Sequence, residues 1–421
     1  MQFIDGGITA PAGFTANGIH SGLKESRKTN DLALFYSTKP CVAAGVFTSN
    51  RVQAECVKYT KKIIEGGIVQ AGVVNVCYAN ACTGAKGAQA AKRMAESAAK
   101  TLNISPDNVV VCSTGVIGQQ LPVEIIERNM KTLADGLSVK GHEEARTAIM
   151  TTDTKYKECA VETEIDGKKI KIGAMCKGSG MIHINMGTML AFVTTDCNIS
   201  REMLDKALRM SVERTYNCVS VDGDMSTNDT LLLMANGLAG NKKIESEGED
   251  FNKFYEALNT LNTQMAMKIA ADGEGASHLL ICTVNGAKTE QIARGLAKSV
   301  ISSSLVKAAH FGSDANWGRI LCSMGYSGFE FNPEGVDVFF KSAKGNSRYF
   351  VPGQKNGGQE KMIQVCSKGA TIDFDEGLAK EILSEEAVEI IINLEEGTAS
   401  ANAYGCDLTY DYVKINGDYR S

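Results

Sequence analysis

The sequence predicts an α/β fold in which mixed or antiparallel sheets and helices are arranged in layers. Apolar runs typical of strands and periodicities typical of helices follow one another irregularly, unlike the strict alternation of a doubly wound parallel sheet. A hairpin signal favours antiparallel pairing, because residues 160–165 and 168–172 alternate in polarity around Asp166-Gly167. The 421 residues exceed one ordinary core, so we expect two or three subdomains.

The first half of the chain predicts short buried strands followed by helices. Residues 1–60 are expected to form short strands and turns, since their compact apolar runs are bounded by Gly, Pro, Ser and Asn. The predicted strands in this half are 32–36, 41–47, 73–77 and 109–112. The predicted helices are 85–102, which is rich in alanine, and 122–133, where Pro122 suits the first turn, with a further short helix before 151.

The second half predicts longer helices and a smaller C-terminal α/β subdomain that begins at about residue 285. Ser200 is the expected cap of its first helix. The predicted helices are 200–216, 251–271, 289–309 and 377–391. The predicted strands are 189–193, 279–284, 336–340, 362–365 and those within 404–413.

Composition and charge exclude several classes of function. The formal net charge is −5 and no basic run occurs, so nucleic acid is not an expected partner. No apolar stretch reaches about 18 residues, and the first residues lack the basic and apolar regions of a signal peptide. The 13 cysteines are scattered, without a C-x-x-C pair, which favours reduced thiols over a zinc site. We therefore expect a cytoplasmic protein without a bound metal.

The stretch 174–196 is the most unusual part of the sequence. Lys177 lies in a glycine-rich turn, and Gly187-Thr188 directly precedes the apolar run 189–193. We interpret Gly187-Thr188 as a self-cleavage site, where the Thr188 hydroxyl attacks the carbonyl of Gly187 and water hydrolyses the resulting ester. The new N-terminal threonine then carries its own base, because an α-amine has a pKa of roughly 7.7–8. Glycine tolerates the strained backbone that such a shift requires.

Other catalytic devices are not evident in the sequence. The G-x-S-x-G, P-loop and H-E-x-x-H patterns and a dinucleotide fingerprint do not occur, and the five histidines show no ligand spacing. A Ser-His-Asp triad assembled from distant positions stays an open alternative. Residues 219–229 resemble an acidic metal loop only in composition, because they lack the ligand spacing of a calcium loop.

Motifs along nearly the whole chain resemble the bifunctional ornithine acetyltransferase / glutamate N-acetyltransferase family. Around the cleavage site they are Lys-Gly-Ser-Gly-Met-Ile and Gly-Thr-Met-Leu-Ala-Phe. Elsewhere they include, in order, Ala-Asn-Ala-Cys-Thr-Gly, Ser-Thr-Gly-Val-Ile-Gly, Thr-Thr-Asp-Thr, Val-Asp-Gly-Asp-Met-Ser-Thr-Asn-Asp, Asp-Gly-Glu-Gly-Ala, Asn-Trp-Gly-Arg-Ile and Gly-Cys-Asp-Leu-Thr. The resemblance implies an N-terminal-nucleophile-like (αββα) core.

The resemblance also implies roles for individual residues and a two-fragment chain. Thr188 would be the nucleophile, and Thr114 and Gly115 would form the oxyanion hole. The residues implied to bind the amino-acid substrate are Thr151, Lys177, Thr188, Glu274, Asn416 and Ser421. Cleavage would give an alpha fragment, 1–187, and a beta fragment, 188–421, with two copies of each in the assembly. Because the new strand continues the core, this fragment boundary need not be a domain boundary.

The implied reaction is a ping-pong acetyl transfer without a cofactor. N2-acetylornithine acetylates Thr188 and leaves as ornithine, and glutamate then takes the acetyl group; acetyl-CoA is an open second donor. Departures from the family pattern are Val76-Cys77-Tyr78, Ile184, Ala315, Glu395 and Tyr404. Because the bulky side chain of Tyr78 would reshape a pocket, a paralogue that acts on a different amino-acid substrate is an open alternative. Two further alternatives are a self-cleaving amidase or aminopeptidase, and a non-catalytic amino-acid-binding or assembly protein.

Overall fold

The computed structural model describes residues 1–183, 189–343 and 360–417. Gly187, Thr188 and Ser421, and with them the predicted cleavage site, lie outside the described residues. The described chain forms two compact units. The first unit comprises residues 1–178, the described part of 185–213, and 224–265; the second comprises 214–223 and the described parts of 179–184 and 266–421.

The described residues contain strands and helices in the following order. The strands are β1 (Gln2–Ile4), β2 (Phe14–Ile19), β3 (Leu32–Phe47), β4 (Ile68–Asn75), β5 (Val109–Ser113), β6 (Lys157–Ile165), β7 (Lys168–Lys177), β8 (Ile182–His183), β9 (Leu190–Thr195), β10 (Val219–Met225), β11 (Thr230–Ala235), β12 (Leu279–Ala287), β13 (Asp337–Ala343), β14 (Glu360–Ser367), β15 (Ala370–Thr371), β16 (Ala387–Asn393) and β17 (Ala399–Cys406). The α-helices are α1 (Glu55–Gly66), α2 (Gly84–Leu102), α3 (Val123–Asp135), α4 (His142–Ala148), α5 (Arg201–Arg214), α6 (Glu249–Ala271), α7 (Glu290–Ser302), α8 (Ser304–Phe311), α9 (Trp317–Gly325), α10 (Glu376–Leu383) and α11 (Tyr410–Asn416). Short 3₁₀ helices cover Gly7–Thr9, Pro106–Asn108, Tyr216–Cys218 and Pro333–Gly335.

The first unit is built on a mixed sheet with the strand order β1-β6-β7-β9-β11-β3-β4-β5, and β2 pairs with β3. The pairs β9–β11 and β4–β5 are parallel, and the other pairs are antiparallel. The predicted hairpin is confirmed, since β6 and β7 pair around Asp166-Gly167 and both turn residues have positive φ. Strand β9, which follows the predicted cleavage site in the chain, is central and buried throughout, as expected.

Both faces of this sheet are buried, and the alternation of side chains along each strand explains how. Leu32 and Leu34 of β3 pack with α2 and α3 in one apolar cluster. Ala33 and Phe35 point the other way, into a second cluster with α4. Helix α2 presents a buried stripe of small residues and one methionine at helical spacing, namely Gly87, Ala90, Ala91, Met94, Ala95, Ala98 and Ala99. The first unit is therefore a sheet with helices on it, which confirms the α/β prediction.

The second unit holds another mixed sheet, with the strand order β15-β14-β13-β16-β12-β17-β10-β8. The pairs β12–β16 and β10–β17 are parallel, whereas β12–β17, β13–β14, β13–β16 and β14–β15 are antiparallel. Helix α7 packs on β12 and β17. None of the helices in the described residues combines the length and the apolar character that crossing a bilayer requires.

Three sequence predictions of secondary structure are wrong. Residues 377–391 form helix α10 and then strand β16, where Val388, Ile390 and Ile392 are buried at a spacing of two. Residues 404–413 include the start of helix α11, which Thr409 caps by accepting the N–H of Tyr412. Residues 1–60 contain the start of helix α1, whose buried residues follow a helical period. In each case the segment either combines a helical and a strand-like apolar pattern or contains only the first residues of a helix.

A further helix prediction is confirmed with changed boundaries. The helix expected over 289–309 is interrupted at Ser303, whose side chain caps α8 by accepting the N–H of Val306. Residues 219–229, which were compared with a metal loop, contain strand β10. In the described ranges no three His, Cys, Asp or Glu side chains are grouped closely enough to hold a metal ion.

Candidate active site

Lys177 marks one end of the candidate site in the first unit. It is the last residue of β7, only 4% exposed, and its register partner is Leu190, the first residue of β9. Leu190 follows Thr188 by two positions in the sequence. The pairing of β7 with β9 thus brings the predicted substrate-binding lysine opposite the start of the strand that the predicted nucleophile precedes.

A buried carboxylate, that of Asp153, links two of the predicted substrate-binding residues. It accepts the N–H of Thr151 at 3.0 Å and the N–H of Gly178, next to Lys177, at 2.8 Å. It also accepts the ammonium of Lys157 at 2.6 Å, and the two side chains are 0% and 1% exposed. The Asp153 carboxylate therefore holds the main chain at Thr151 and at Gly178, the residue next to Lys177.

The electrostatics of this cluster favour the ionised form of Asp153. Burial acts to raise its pKa, but the charges of Lys177 and Lys157 and the hydrogen bonds from Gly178 and Lys157 outweigh it, so the pKa lies well below its usual value. Sequence reasoning missed both Asp153 and Lys157. The Thr-Thr-Asp-Thr motif was a signal for Asp153, but nothing in the sequence indicates that Lys157 turns inward.

An Asp153→Asn variant is expected to lose about 3–5 kcal/mol of unfolding free energy, because it leaves the buried Lys157 ammonium without its counter-ion. Urea denaturation followed by circular dichroism measures this. The double variant Asp153→Asn/Lys157→Met is the matched control, since it removes both charges and should recover most of the loss. A single variant as stable as the unmodified protein would contradict the assigned ion pair.

Thr114 and Gly115 follow the buried strand β5 and offer two hydrogen-bond donors. The N–H of Thr114 is already bound to the carbonyl of Asn75 at 3.1 Å. Within the described ranges, no acceptor takes the Gly115 N–H or the Thr114 hydroxyl. Gly115 has φ +136°, a conformation that other residues rarely adopt. Among the described residues, the donors at this turn without an acceptor are therefore the Gly115 amide and the Thr114 hydroxyl.

A buried network holds this turn in place. The Ser113 hydroxyl donates to Asn75 Oδ1 at 2.7 Å. The side-chain amide of Asn228 donates to the carbonyl oxygens of Ser113, at 2.8 Å, and Ala79, at 2.5 Å. Three motifs distant in sequence, Ala-Asn-Ala, Ser-Thr-Gly and Ser-Thr-Asn-Asp, thus meet in the first unit. Asn228 is a residue that sequence reasoning left without a role.

Tyr78, which departs from the family pattern, lies beside the same turn. It forms isolated bridges with Thr114 and Val116 through its backbone. Its hydroxyl donates to the carbonyl of Leu23 at 3.2 Å, and its ring is partly buried against the apolar cluster of β3 and α2. The hydrogen bond to Leu23 and the packing of the ring therefore fix the position of the Tyr78 side chain.

The second unit brings together Glu274 and Asn416. The Asn416 side-chain amide donates to Glu274 Oε2 at 2.7 Å, and Glu274 is 7% exposed. The Glu274 N–H donates to the carbonyl of Ser179 at 2.8 Å. A Cβ at Gly180 would lie 2.3 Å from the Glu274 carboxyl carbon, so only glycine allows this approach. A nearly buried carboxylate with one oxygen fixed by an amide is suited to bind an ammonium group.

Comparison with known proteins matches the chain over its full length. The profile of the ArgJ family matches residues 15–421. The chain is 48% identical over 421 residues to the arginine biosynthesis bifunctional protein ArgJ of Caldanaerobacter subterraneus subsp. tengcongensis, covering 100% of both. It is 46% identical over 413 residues to the protein of the same name from Thermotoga neapolitana, covering 98% of this chain and 99% of the relative.

A solved structure is also similar to the chain. It is the crystal structure of arginine biosynthesis bifunctional protein argJ from Bacillus halodurans, which is 42% identical. The match covers 55% of this chain and 100% of that chain, with a TM-score of 0.49.

Proposed function

The chain belongs to the ArgJ family, and on that premise we propose that it is an acyltransferase that moves the acetyl group of N2-acetylornithine to glutamate. The single observation that carries this proposal is the full-length match, at 48% identity, to a relative named as a bifunctional protein of arginine biosynthesis. The cluster of Thr151, Asp153 and Lys177 opposite the start of β9 supports it.

The first step is cleavage between Gly187 and Thr188. The Thr188 oxygen bonds to the Gly187 carbonyl carbon, the bond from that carbon to the Thr188 nitrogen breaks, and the hydroxyl proton ends on the nitrogen. Water then hydrolyses the ester, which leaves a carboxylate on Gly187 and a hydroxyl and a free α-amine on Thr188. The products are two fragments that need not separate, because β7 and β9 pair across the cleavage point.

Acetyl transfer uses the same atoms. The Thr188 α-amine takes the hydroxyl proton while the oxygen attacks the acetyl carbonyl. The Gly115 N–H and the Thr114 hydroxyl stabilise the oxyanion, and one such donor contributes about 3–4 kcal/mol to the transition state. Ornithine leaves with a proton on its nitrogen, and the amine of glutamate then attacks the acetyl ester. No cofactor takes part in either half of the cycle.

Binding of the amino acid is proposed to use the charged residues that the family resemblance implies. The Lys177 ammonium is complementary to the substrate carboxylate, and the Glu274 carboxylate to a substrate ammonium. Asn416 holds one oxygen of Glu274, and Thr151 is fixed by Asp153. Ser421 is the remaining residue that we propose to bind the amino acid.

Acetyl-CoA is proposed as a second acetyl donor to Thr188, which the word bifunctional in the relatives' name supports. The expected result is release of coenzyme A thiol when glutamate and acetyl-CoA are mixed with the enzyme. Without thiol release, the enzyme would be restricted to transfer from N2-acetylornithine.

We further propose a cytoplasmic assembly of two alpha and two beta fragments. No disulfide joins any of the 13 cysteines in the part of the chain that the structure describes, which supports a reducing compartment. Light scattering of the cleaved protein, with denaturing electrophoresis to count the fragments, tests the stoichiometry.

Intact mass of the purified protein tests the proposed mechanism. Cleavage predicts fragments of 187 and 234 residues (421 − 187 = 234). A single uncut chain that still transfers acetyl would refute the N-terminal-threonine mechanism. Exchange of labelled ornithine into N2-acetylornithine without glutamate tests the ping-pong step, and acetate release in place of transfer would favour the amidase alternative.

A further inference from the structure

The Val-Asp-Gly-Asp motif of β10 supplies none of the proposed catalytic or substrate-binding residues, yet its Asp222 accepts three hydrogen bonds within the second unit. The Oδ2 atom accepts the N–H of Met181 at 2.5 Å and the hydroxyl of Tyr412 at 3.3 Å. The Oδ1 atom accepts the N–H of Ile182 at 2.8 Å. One carboxylate thus joins the main chain at the start of β8 to helix α11.

The chain directly before β8 contacts Glu274. The carbonyl of Ser179 accepts the N–H of Glu274 at 2.8 Å, and Gly180 approaches the Glu274 carboxyl group so closely that no Cβ fits there. Met181, the next residue, has φ +57°, a left-handed conformation that costs a residue with a side chain free energy. The hydrogen bond from the Met181 N–H to Asp222 stabilises this conformation. Asp222 therefore fixes the main chain against which the Glu274 carboxylate packs.

Helix α11 supplies the other contact of Glu274. The Asn416 side-chain amide donates to Glu274 Oε2 at 2.7 Å and to the carbonyl of Tyr412 at 3.1 Å, so both amide hydrogens are bound. The Tyr412 hydroxyl, on Asp222, holds this helix one turn before Asn416. No described residue donates to the remaining carboxylate oxygen of Glu274, Oε1. The contacts that run from Asp222 through both elements to Glu274 therefore fix one oxygen and leave the other for a ligand.

We propose that Asp222 is a positioning residue for the acetyl donor, because it holds the Glu274 carboxylate where it meets the side-chain ammonium of N2-acetylornithine. This proposal rests on the proposed function. In N2-acetylornithine the α-nitrogen carries the acetyl group, so the side-chain nitrogen is the one that stays charged. A shift of α11 or of the chain before β8 would move Oε1 of Glu274 away from that ammonium. Asp222 acts through Glu274 and takes no part in the chemical steps.

The test compares two acetyl donors, N2-acetylornithine and N2-acetylnorvaline, which has the same carbon skeleton but lacks the side-chain ammonium. The Asp222→Asn variant keeps the size of the side chain but replaces one acceptor oxygen with an amide donor, so at least one of the three hydrogen bonds is lost. We expect the KM for N2-acetylornithine to rise about tenfold with kcat unchanged, which is the effect of weakening one hydrogen bond to a charged group. The KM for N2-acetylnorvaline should stay constant, whereas merely structural damage would affect both donors alike.

Tyr412→Phe covers the case in which Asp222→Asn does not fold, because it removes only the hydroxyl that donates to Asp222. It should raise the KM for N2-acetylornithine by a smaller factor and leave that for N2-acetylnorvaline unchanged. Tyr410→Phe is the matched control, since it removes the same atom from the same helix. The Tyr410 side chain is 83% exposed and its hydroxyl binds no described residue, so neither KM should change.

Two outcomes would overturn the role of Asp222. One is an unchanged KM for N2-acetylornithine in both Asp222→Asn and Tyr412→Phe, and the other is an equal rise in KM for the two donors. A wild-type protein that transfers acetyl from neither donor would refute the proposed function instead.

Discussion

Replacing Thr188 with alanine is expected to leave a single uncut chain of 421 residues that transfers no acetyl group. Alanine has neither the hydroxyl that attacks Gly187 nor a route to the α-amine, so both cleavage and catalysis are lost together. Removing the nucleophile of a hydrolase costs on the order of 10⁶-fold in kcat, which places the residual rate near the assay background. Intact mass and a discontinuous ornithine assay measure the two effects.

Thr188→Ser is the informative companion of this variant. Serine retains a hydroxyl and, once freed, an α-amine, so cleavage and transfer should persist at a reduced rate. Equilibrium dialysis with labelled ornithine separates binding from catalysis in Thr188→Ala. Full acetyl transfer by Thr188→Ala would eliminate the threonine mechanism. Normal ligand binding without activity in any variant or in the wild type would instead support the non-catalytic alternative.

The strands in and around residues 174–196 could be predicted because their sequence signals are local. Asp166-Gly167 specifies a tight hairpin, and the apolar run after Thr188 specifies a buried strand, which is β9. Secondary structure was harder to predict in the C-terminal part. There α10 and β16 follow each other closely, so that an apolar pattern with helical spacing runs into one that alternates. Strand β16 is determined by its pairing with β12 and β13, and this pairing cannot be predicted from the local sequence.

In the candidate site, too, residues in local motifs could be predicted from the sequence, whereas their tertiary contacts could not. The residues implied by the resemblance include Lys177 and Thr151, but their connection through Asp153 depends on β6 and β7 folding back on each other. Likewise, the Asp229 carboxyl group accepts the N–H of Met189, 40 positions away in the sequence, beside the parallel pairing of β9 with β11. Residues that support others through tertiary contacts therefore cannot be predicted from sequence motifs, whereas residues in glycine-rich turns can.

A Gly115→Ala variant is expected to lose both stability and oxyanion stabilisation. Gly115 has φ +136°, and a Cβ there would lie 2.2 Å from the carbonyl carbon of Cys77, well inside contact distance. Avoiding this clash requires the turn to move, and the Gly115 amide moves with it. Overpacking of this kind costs about 1–3 kcal/mol of stability, and loss of one oxyanion donor costs about 10²–10³ in kcat. Thermal unfolding and steady-state acetyl transfer measure the two losses.

Gly118→Ala separates the steric clash from the backbone strain. Gly118 also has positive φ, +84°, but a Cβ there would meet no atom within 4 Å. Its substitution should therefore cost only the strain of an L-residue at positive φ, about 1–2 kcal/mol, and leave kcat unchanged. If Gly115→Ala behaved like Gly118→Ala, with kcat intact, the Gly115 amide would not be the oxyanion donor. A loss of kcat confined to Gly115→Ala would instead support the amide as the donor, since both variants place an L-residue at positive φ but only Gly115→Ala also brings a Cβ against the main chain of Cys77 and Tyr78.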